Sequence, residues 1–264
     1  MGSKSLTGMK VYQNSSFHMG TRFNLLLPGI DIPDGEKLFH SCTKEITSLE
    51  KMLSCFLPES EISILNAHAI QQPIEISSEL FEFLETCIEY SNMTQGAFDI
   101  GLGKLIDRCN KNQQDHGLEN LYSETGIDKI VLDQDKMTVR YTSPHVKLNP
   151  GGIGKGYALD RVRKLLSDFG ITAAFISFGE SSVSCIGNHP HGDYWPVGIQ
   201  DFYNKDKSIA TVKLEDESVS TSGNIDGNYH IIDPTDKEPV KEKKMITVKS
   251  SMATTAEVLS TALM

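Results

Sequence analysis

The stretch LNPGGIGKGYALDRV (residues 148–162) decides how this chain is read. Gly151, Gly152, Gly154 and Gly156 fall within six residues, with Lys155 among them. From Lys155 to about Phe169 the apolar residues Leu159, Val162, Leu165 and Leu166 recur on one helical face, and Gly170 supplies a stop. Glycines ahead of a helix let an anion approach backbone N–H groups at the positive end of the helix dipole. The spacing is neither GxxxxGK[ST] nor GxGxxG in its required setting, so phosphate cradle and plain tight turn both stay open on the motif alone.

Outward from the loop, VKLNP reads as a short strand entering it, and ITAAFISFG as a buried strand after the helix. Upstream, FHMGTRFNLLLPG alternates and reads as a strand. A long helix is expected from Gly35 to Phe56, stopped before Pro58. PESEISILNAH reads as a capped short helix or turn, and Ser78 as the N-cap of a helix to about Met93. TQGAFDIGLGKLIDRC is a loop leading into a short helix, and GIDKIVLDQDKMTVRYT a hairpin turning at Asp133-Gln134-Asp135. YWPVGIQD, KSIATVKLED, ESVSTSG and NYHIIDP read as short strands, and SSMATTAEVLSTALM begins a helix. With no repeat and no visible linker, the order of elements predicts an α+β class, a single compact domain of mixed sheets and helices.

The chain has 264 residues, 39% hydrophobic and 23% charged, with a net charge of −10. That charge argues against broad capture of nucleic acid or anionic membrane, so an anionic ligand has to meet local cations, N–H donors or a metal. Five scattered cysteines with no CxxC pair argue against a disulfide framework or a zinc site and read as reduced structural thiols. There is no transmembrane run and no signal peptide. MGSKSLTG, residues 1–8, reads as an expression scar ahead of Met9. The chain as given points to the cytoplasm, and a periplasmic or membrane-anchored protein whose leader has been removed is the alternative.

Several further groups carry chemistry. His230 and Asp233 in HIIDPTDKEP are spaced for acid/base partnership, or Asp233 caps its own turn before Pro234. Ser220 to Asn224 offer hydroxyls beside a flexible glycine, or a polar loop. Asp99, in GAFDIGLGKL, sits between an aromatic and a glycine pair, or caps a helix. Glu257 and Thr261 lie at i and i+4 on one helical face, where oxygen donors suit Mg²⁺, or where Thr261 bonds back into its helix. Trp195 reads as packing, His189 and His191 as a solvated loop, and DKEPVKEKK as a solvated face.

Taken in order, MGTRFN, SEISILN, GAFDIG, GGIGKGYALDRV, TSGN, HIIDP and AEVLSTAL resemble the motif series of the FAD:protein FMN transferase (ApbE-like) family, from Met19 to Met264. The resemblance implies an ApbE-like, T-fold-related architecture. It also implies an activity: with Mg²⁺, FMN passes from FAD to a Thr or Ser hydroxyl exposed on an acceptor flavoprotein, and AMP leaves. Met19, Gly20, Thr21, Phe98, Asp99, Gly152, Lys155, Asp160, Ser222, Gly223, His230 and Ile231 would line the FAD site, with Asp160 on the nucleoside part. His230, Asp233 and Lys155 would serve the reacting phosphate; the Gly154 carbonyl, Glu257 and Thr261 would hold the metal.

Three departures stand out. Glu257 occupies a position where the family usually has Asp, Glu180 follows Gly179 where Gly-Gly is usual, and the chain ends at Met264 where relatives usually continue. They keep two alternatives in view, FAD binding without transfer and an FAD pyrophosphatase giving free FMN and AMP.

Overall fold

A computed structural model of the chain describes residues 10–110, 123–201, 204, 206–224, 231–234 and 237–264. The class is α+β as expected, with helices and antiparallel sheets. The chain groups into two compact units, residues 1–47, 155–220 and 249–256 in the first, and 48–154, 221–248 and 257–264 in the second.

The first unit is built on antiparallel strands. β1 (Val11–His18) and β2 (Thr21–Pro28) pair with His18 opposite Thr21. The stretch read as one strand therefore folds back at Met19-Gly20. Both turn residues have positive φ, 49° and 74°, the geometry whose twist matches a two-residue hairpin. Met is not a turn residue by composition, which is why the sequence hid the turn. Phe23, Leu25 and Leu27 alternate into the core, together with Leu38, Cys42 and Ile46 from the first part of α1 (Ile32–Leu53). α5 (Gly154–Asp168) buries Ala158, Leu159, Val162 and Leu166. Gly170, at φ 77°, ends it, and the Ile171 N–H closes on the Leu166 carbonyl at 3.0 Å.

The main sheet runs β1-β2-β6-β7-β10-β11, with β6 at Ala174–Phe178, β7 at Ser182–Ile186, β10 at Ser218–Gly223 and β11 at Met245–Ser250. β7 and β11 were not expected. β7 is buried along its whole length although serine recurs in it. Its hydroxyls are matched across the sheet: Ser218 Oγ donates to Ser184 Oγ at 2.8 Å, and Ser182 and Ser220 lie 3.3 Å apart. Paired hydroxyls remove the penalty of burying each alone, and they erase the polar-apolar alternation by which a strand is recognised. β8 (Trp195–Gln200) and β9 (Ser208–Leu214) form a separate ribbon. Trp195 is buried against Phe175 and His189, with its N–H on the Ile186 carbonyl, so packing is its role.

The second unit holds the end of α1, α2 (Glu61–His68), β3 (Ile74–Glu75), α3 (Ser78–Met93), α4 (Gly103–Asn110), β4 (Ile130–Asp133) and β5 (Thr138–Tyr141). Ser60 caps α2 by accepting from the Ser63 N–H, 3.1 Å. Ser77, one residue earlier than expected, caps α3 and is fixed by two bonds to the Glu61 carboxylate. β4 and β5 form the expected hairpin, and the small sheet runs β3-β5-β4. Two expectations fail. α1 stops at Leu53, where Ser54 Oγ takes the Phe56 and Leu57 N–H groups, so Phe56 is 86% exposed instead of core. VKLNP makes only an isolated parallel bridge, Leu102 to Lys147. Part of NYHIIDP lies outside the described residues; Ile232 makes one bridge with Pro239. Met9 and residues 1–8 are also outside them.

α6 (Ala253–Ala262) follows β11. At Gly156 an added Cβ would stand 2.5 Å from the Ala253 carbonyl oxygen, which is backbone and cannot rotate away. In an open helix Gly→Ala stabilises by about 1 kcal/mol. Here the sign reverses: Gly156→Ala is expected to cost about 1–3 kcal/mol through forced separation of α5 and the start of α6, read as a lower urea midpoint at unchanged m-value.

Candidate active site

The glycine loop is anchored before it begins. Asn66, at the end of the SEISILN stretch, accepts the Leu148 N–H at 2.7 Å and donates to the Leu148 carbonyl at 3.0 Å. The buried Tyr141 hydroxyl completes the Asn66 oxygen at 3.0 Å. The Asn149 N–H reaches the Ile100 carbonyl at 2.7 Å, and Asn149 Oδ1 accepts from the Gly151 N–H at 2.9 Å, shaping a 3₁₀ turn over Pro150–Gly152. α5 starts directly after it: Gly154, buried, is its first residue and the half-buried Lys155 its second. The loop is thus held to deliver a helix N-terminus, whose first N–H groups lack helical partners.

Within the second unit several sequence-predicted residues converge. A Cβ at Gly152 would meet the Thr261 side chain at 3.2 Å and the Phe98 ring at 3.4 Å, so both pack on the bare glycine. Ser222 Oγ lies 3.3 Å from Thr261 Oγ1 and 2.9 Å from Ser260 Oγ. Ser260 was not singled out in the sequence; its place three residues after Glu257 is the signal that could have found it. Glu257 is 3% exposed. A buried carboxylate, a neighbouring hydroxyl and a backbone carbonyl are hard oxygen donors and fit Mg²⁺ by chemistry. Among the described residues no group of three His, Cys, Asp or Glu side chains could hold a metal, so a cation here would rest on Glu257 with neutral oxygens.

Two acids expected on the cofactor accept hydrogen bonds from backbone N–H groups. Asp160 accepts from the Ala253 and Thr254 N–H groups, both at 2.8 Å, and from the Thr254 hydroxyl at 2.6 Å. It caps α6. Asp99 accepts from the Gly101 N–H at 2.6 Å and the Ile127 N–H at 2.9 Å, pinning the GAFDIG loop. Burial pushes the Asp99 carboxyl up, against those two N–H bonds, which pull it down.

The remaining positions are placed as follows. Met19 and Gly20 form the β1–β2 turn, and Gly179, at φ 59°, lies so close to the Thr21 hydroxyl that a Cβ would stand 2.7 Å from it. Glu180 is exposed. The Ile231 carbonyl accepts from the Val240 N–H, and the Asp233 carbonyl from the Lys237 N–H at 2.8 Å, a turn closed at the backbone. Gly223 is the last residue of β10. His230 lies outside the described residues. All five cysteines are free, and burial pushes Cys42 and Cys185 up to about 12, as inert structural thiols require.

A glycine loop feeding a helix N-terminus and a carboxylate–hydroxyl pair on a helix are the features set against known proteins. Residues 19–264 match the ApbE family, and the chain belongs to it. It is 24% identical over 266 residues to the FAD:protein FMN transferase of Escherichia coli K12, covering 93% of this chain and 76% of that one. It is 28% identical over 250 residues to that of Chlamydia trachomatis, covering 85% and 76%. The crystal structure of the ApbE protein of Thermotoga maritima superposes with a TM-score of 0.85 at 26% identity, over 96% of this chain and 86% of that one.

Two tests separate structural acids from ligand-binding ones. Asp160→Ala should lower unfolding stability by about 1–2 kcal/mol, the worth of a strong N-cap, as measured by urea denaturation without ligand. For Asp99 the folded pKa lies above the unfolded 3.8, so its contribution is greatest at low pH and falls as pH rises through the folded value. Relative to Asp99→Asn, the wild-type chain should lose stability as pH rises above the unfolded value of 3.8.

Proposed function

We propose that this chain is a Mg²⁺-dependent enzyme that transfers FMN from FAD to a Thr or Ser hydroxyl of an acceptor flavoprotein, releasing AMP. The observation that carries the reading is the convergence of Phe98 and Thr261 on Gly152, with Ser222 on Thr261, residues far apart in sequence that all come from motifs of the series. The names of the relatives support flavin transfer.

In this reading the hydroxyl oxygen of the acceptor attacks the FMN phosphorus. The bond from that phosphorus to the bridging oxygen breaks, AMP leaves with that oxygen, and the hydroxyl proton goes to a base. The N-terminal N–H groups of α5 and the Lys155 ammonium hold phosphate oxygens, each a preset donor where charge is spread in the transition state. His230 and Asp233 are assigned to the proton and the approach of the hydroxyl, from their place in HIIDP. Gly154, Glu257 and Thr261 would hold Mg²⁺, which supplies charge neutralisation and phosphoryl polarisation. Glu257 is one methylene longer than the usual Asp, yet its burial on the inner side of α6 keeps the carboxylate out of solvent.

Incubation with FAD, Mg²⁺ and a candidate acceptor, followed by mass spectrometry, tests this directly. The expected result is AMP in solution and one FMN phosphoester on the acceptor, with Glu257→Ala or chelation reducing turnover about 100-fold or more. Free FMN regardless of acceptor would make the chain a pyrophosphatase, and no AMP with any acceptor would remove the transferase reading.

A further inference from the structure

Two adjacent residues of α6, Ser260 and Thr261, carry hydroxyls, and the fold treats them differently. Ser260 Oγ donates to the Glu257 carbonyl at 3.0 Å, the back-bond that a helical serine makes onto the preceding turn. The sequence allows such a back-bond to Thr261; the structure gives it to Ser260. Among the described residues the hydrogen-bond partner of Thr261 Oγ1 is Ser222 Oγ, at 3.3 Å. Ser222 Oγ in turn lies 2.9 Å from the Oγ of Ser260, which is buried.

Proton counting sets the direction of these contacts. A hydroxyl has one proton to give and two lone pairs with which to receive. The Ser260 proton is committed to a carbonyl, which can only accept. Toward Ser222, Ser260 Oγ therefore accepts, and that uses the Ser222 proton. Ser222 Oγ then offers only lone pairs to Thr261, so Thr261 is the donor. The chain runs one way, from Thr261 to Ser222 to Ser260 to the Glu257 carbonyl. Its effect falls on Thr261, whose proton is drawn toward Ser222 and whose remaining lone pairs are turned away from it. A hard cation binds through oxygen lone pairs, and a hydroxyl proton turned toward it repels it. The Glu257 carboxylate, itself buried, comes from one helical turn earlier on the face that carries Thr261.

We propose that Ser260 is a positioning residue which, through Ser222, holds the Thr261 hydroxyl with its oxygen presented to a divalent cation shared with Glu257. The inference rests on the flavin-transfer reading, which assigns Mg²⁺ to Glu257 and Thr261. Ser260 meets neither metal nor substrate; it sets which side of the Thr261 hydroxyl they meet. Without Ser260 the Ser222 proton loses its acceptor and turns to the Thr261 oxygen, where it competes with the cation. Groups that orient a metal ligand are worth about 10–100-fold in metal affinity. A neutral hydroxyl ligand places this effect at the lower end, about tenfold.

The test is a cycle of substitutions read by metal affinity. Mn²⁺ stands in for Mg²⁺, and the free ion is counted by its EPR signal. Ser260→Ala is introduced into wild type, Ser222→Ala and Thr261→Val, the last keeping the side-chain shape and losing the hydroxyl. In wild type Ser260→Ala should weaken Mn²⁺ about tenfold. In Ser222→Ala and in Thr261→Val it should change nothing, because the chain is already cut. A packing role for Ser260 would weaken Mn²⁺ by the same factor in all three backgrounds and overturns the proposal, as does wild-type affinity unchanged by Ser260→Ala. Urea denaturation without metal shows whether each variant folds. If Ser260→Ala does not, Ser222→Ala carries the test: a loss of about tenfold in wild type and none in Thr261→Val supports the proposal, and equal losses in both end it. Wild type holding no Mn²⁺ that Glu257→Ala releases ends the metal assignment together with this proposal. Glu257-dependent Mn²⁺ binding with no coupling in the cycle ends this one alone.

Discussion

The contact on which the rest of the second unit depends is one amide holding one residue. Asn66 satisfies both backbone groups of Leu148, 82 positions away, with the geometry of a strand partner although neither residue lies in a strand. Part-buried beside Tyr141, such a pair is stronger than in open water, and leaving either half unmade is costly. From Leu148 the loop is stitched onward, Asn149 to Ile100 and Gly103 to Lys147. At Gly103 an added Cβ would stand 2.6 Å from the Lys147 carbonyl oxygen, so the two loops approach as closely as glycine permits. The GAFDIG and GGIGKG stretches are therefore one object held by backbone hydrogen bonds, and Gly154 begins α5 from a fixed point.

An acidic chain that is to hold an anion faces a conflict of signs, and Asp99 and Asp160 show how it is handled locally. Each carboxylate is turned onto N–H groups of its own fold, Asp99 onto Gly101 and Ile127, Asp160 onto the first residues of α6. The capping of α6 spends a negative charge where the helix dipole favours one. It also fixes the start of the helix that carries Glu257 and Thr261 one to two turns later. Charge is thus used for positioning.

What the sequence discloses follows from the range of the interaction that leaves the mark. Helical period, caps at Ser60 and Gly170, and the β4–β5 turn are local, and they were legible. The Met19-Gly20 reversal was not, because its φ values are held by the paired strands on either side and not by residue type. β7 was invisible because cross-strand serine pairs replace the apolar alternation. In the site, Thr261, Ser222 and Gly152 each stood open to a plainer reading, and the order of motifs along the chain was what joined them with Phe98. Asn66 lay inside one of those motifs, yet its role required a partner 82 residues on, and no periodicity points that far.

β10 shows how a polar strand can be buried. Ser218 is matched by Ser184, Ser220 by Ser182, Thr221 by Thr247 at 2.9 Å, and Ser222 by Ser260. Save at Val219, a hydroxyl meets a hydroxyl from Ser218 to Ser222, and each pair satisfies what burial would otherwise penalise. Hydroxyls suit this because each is donor and acceptor at once. Asn224 breaks the series: its nitrogen is held by two carbonyls and its oxygen by nothing.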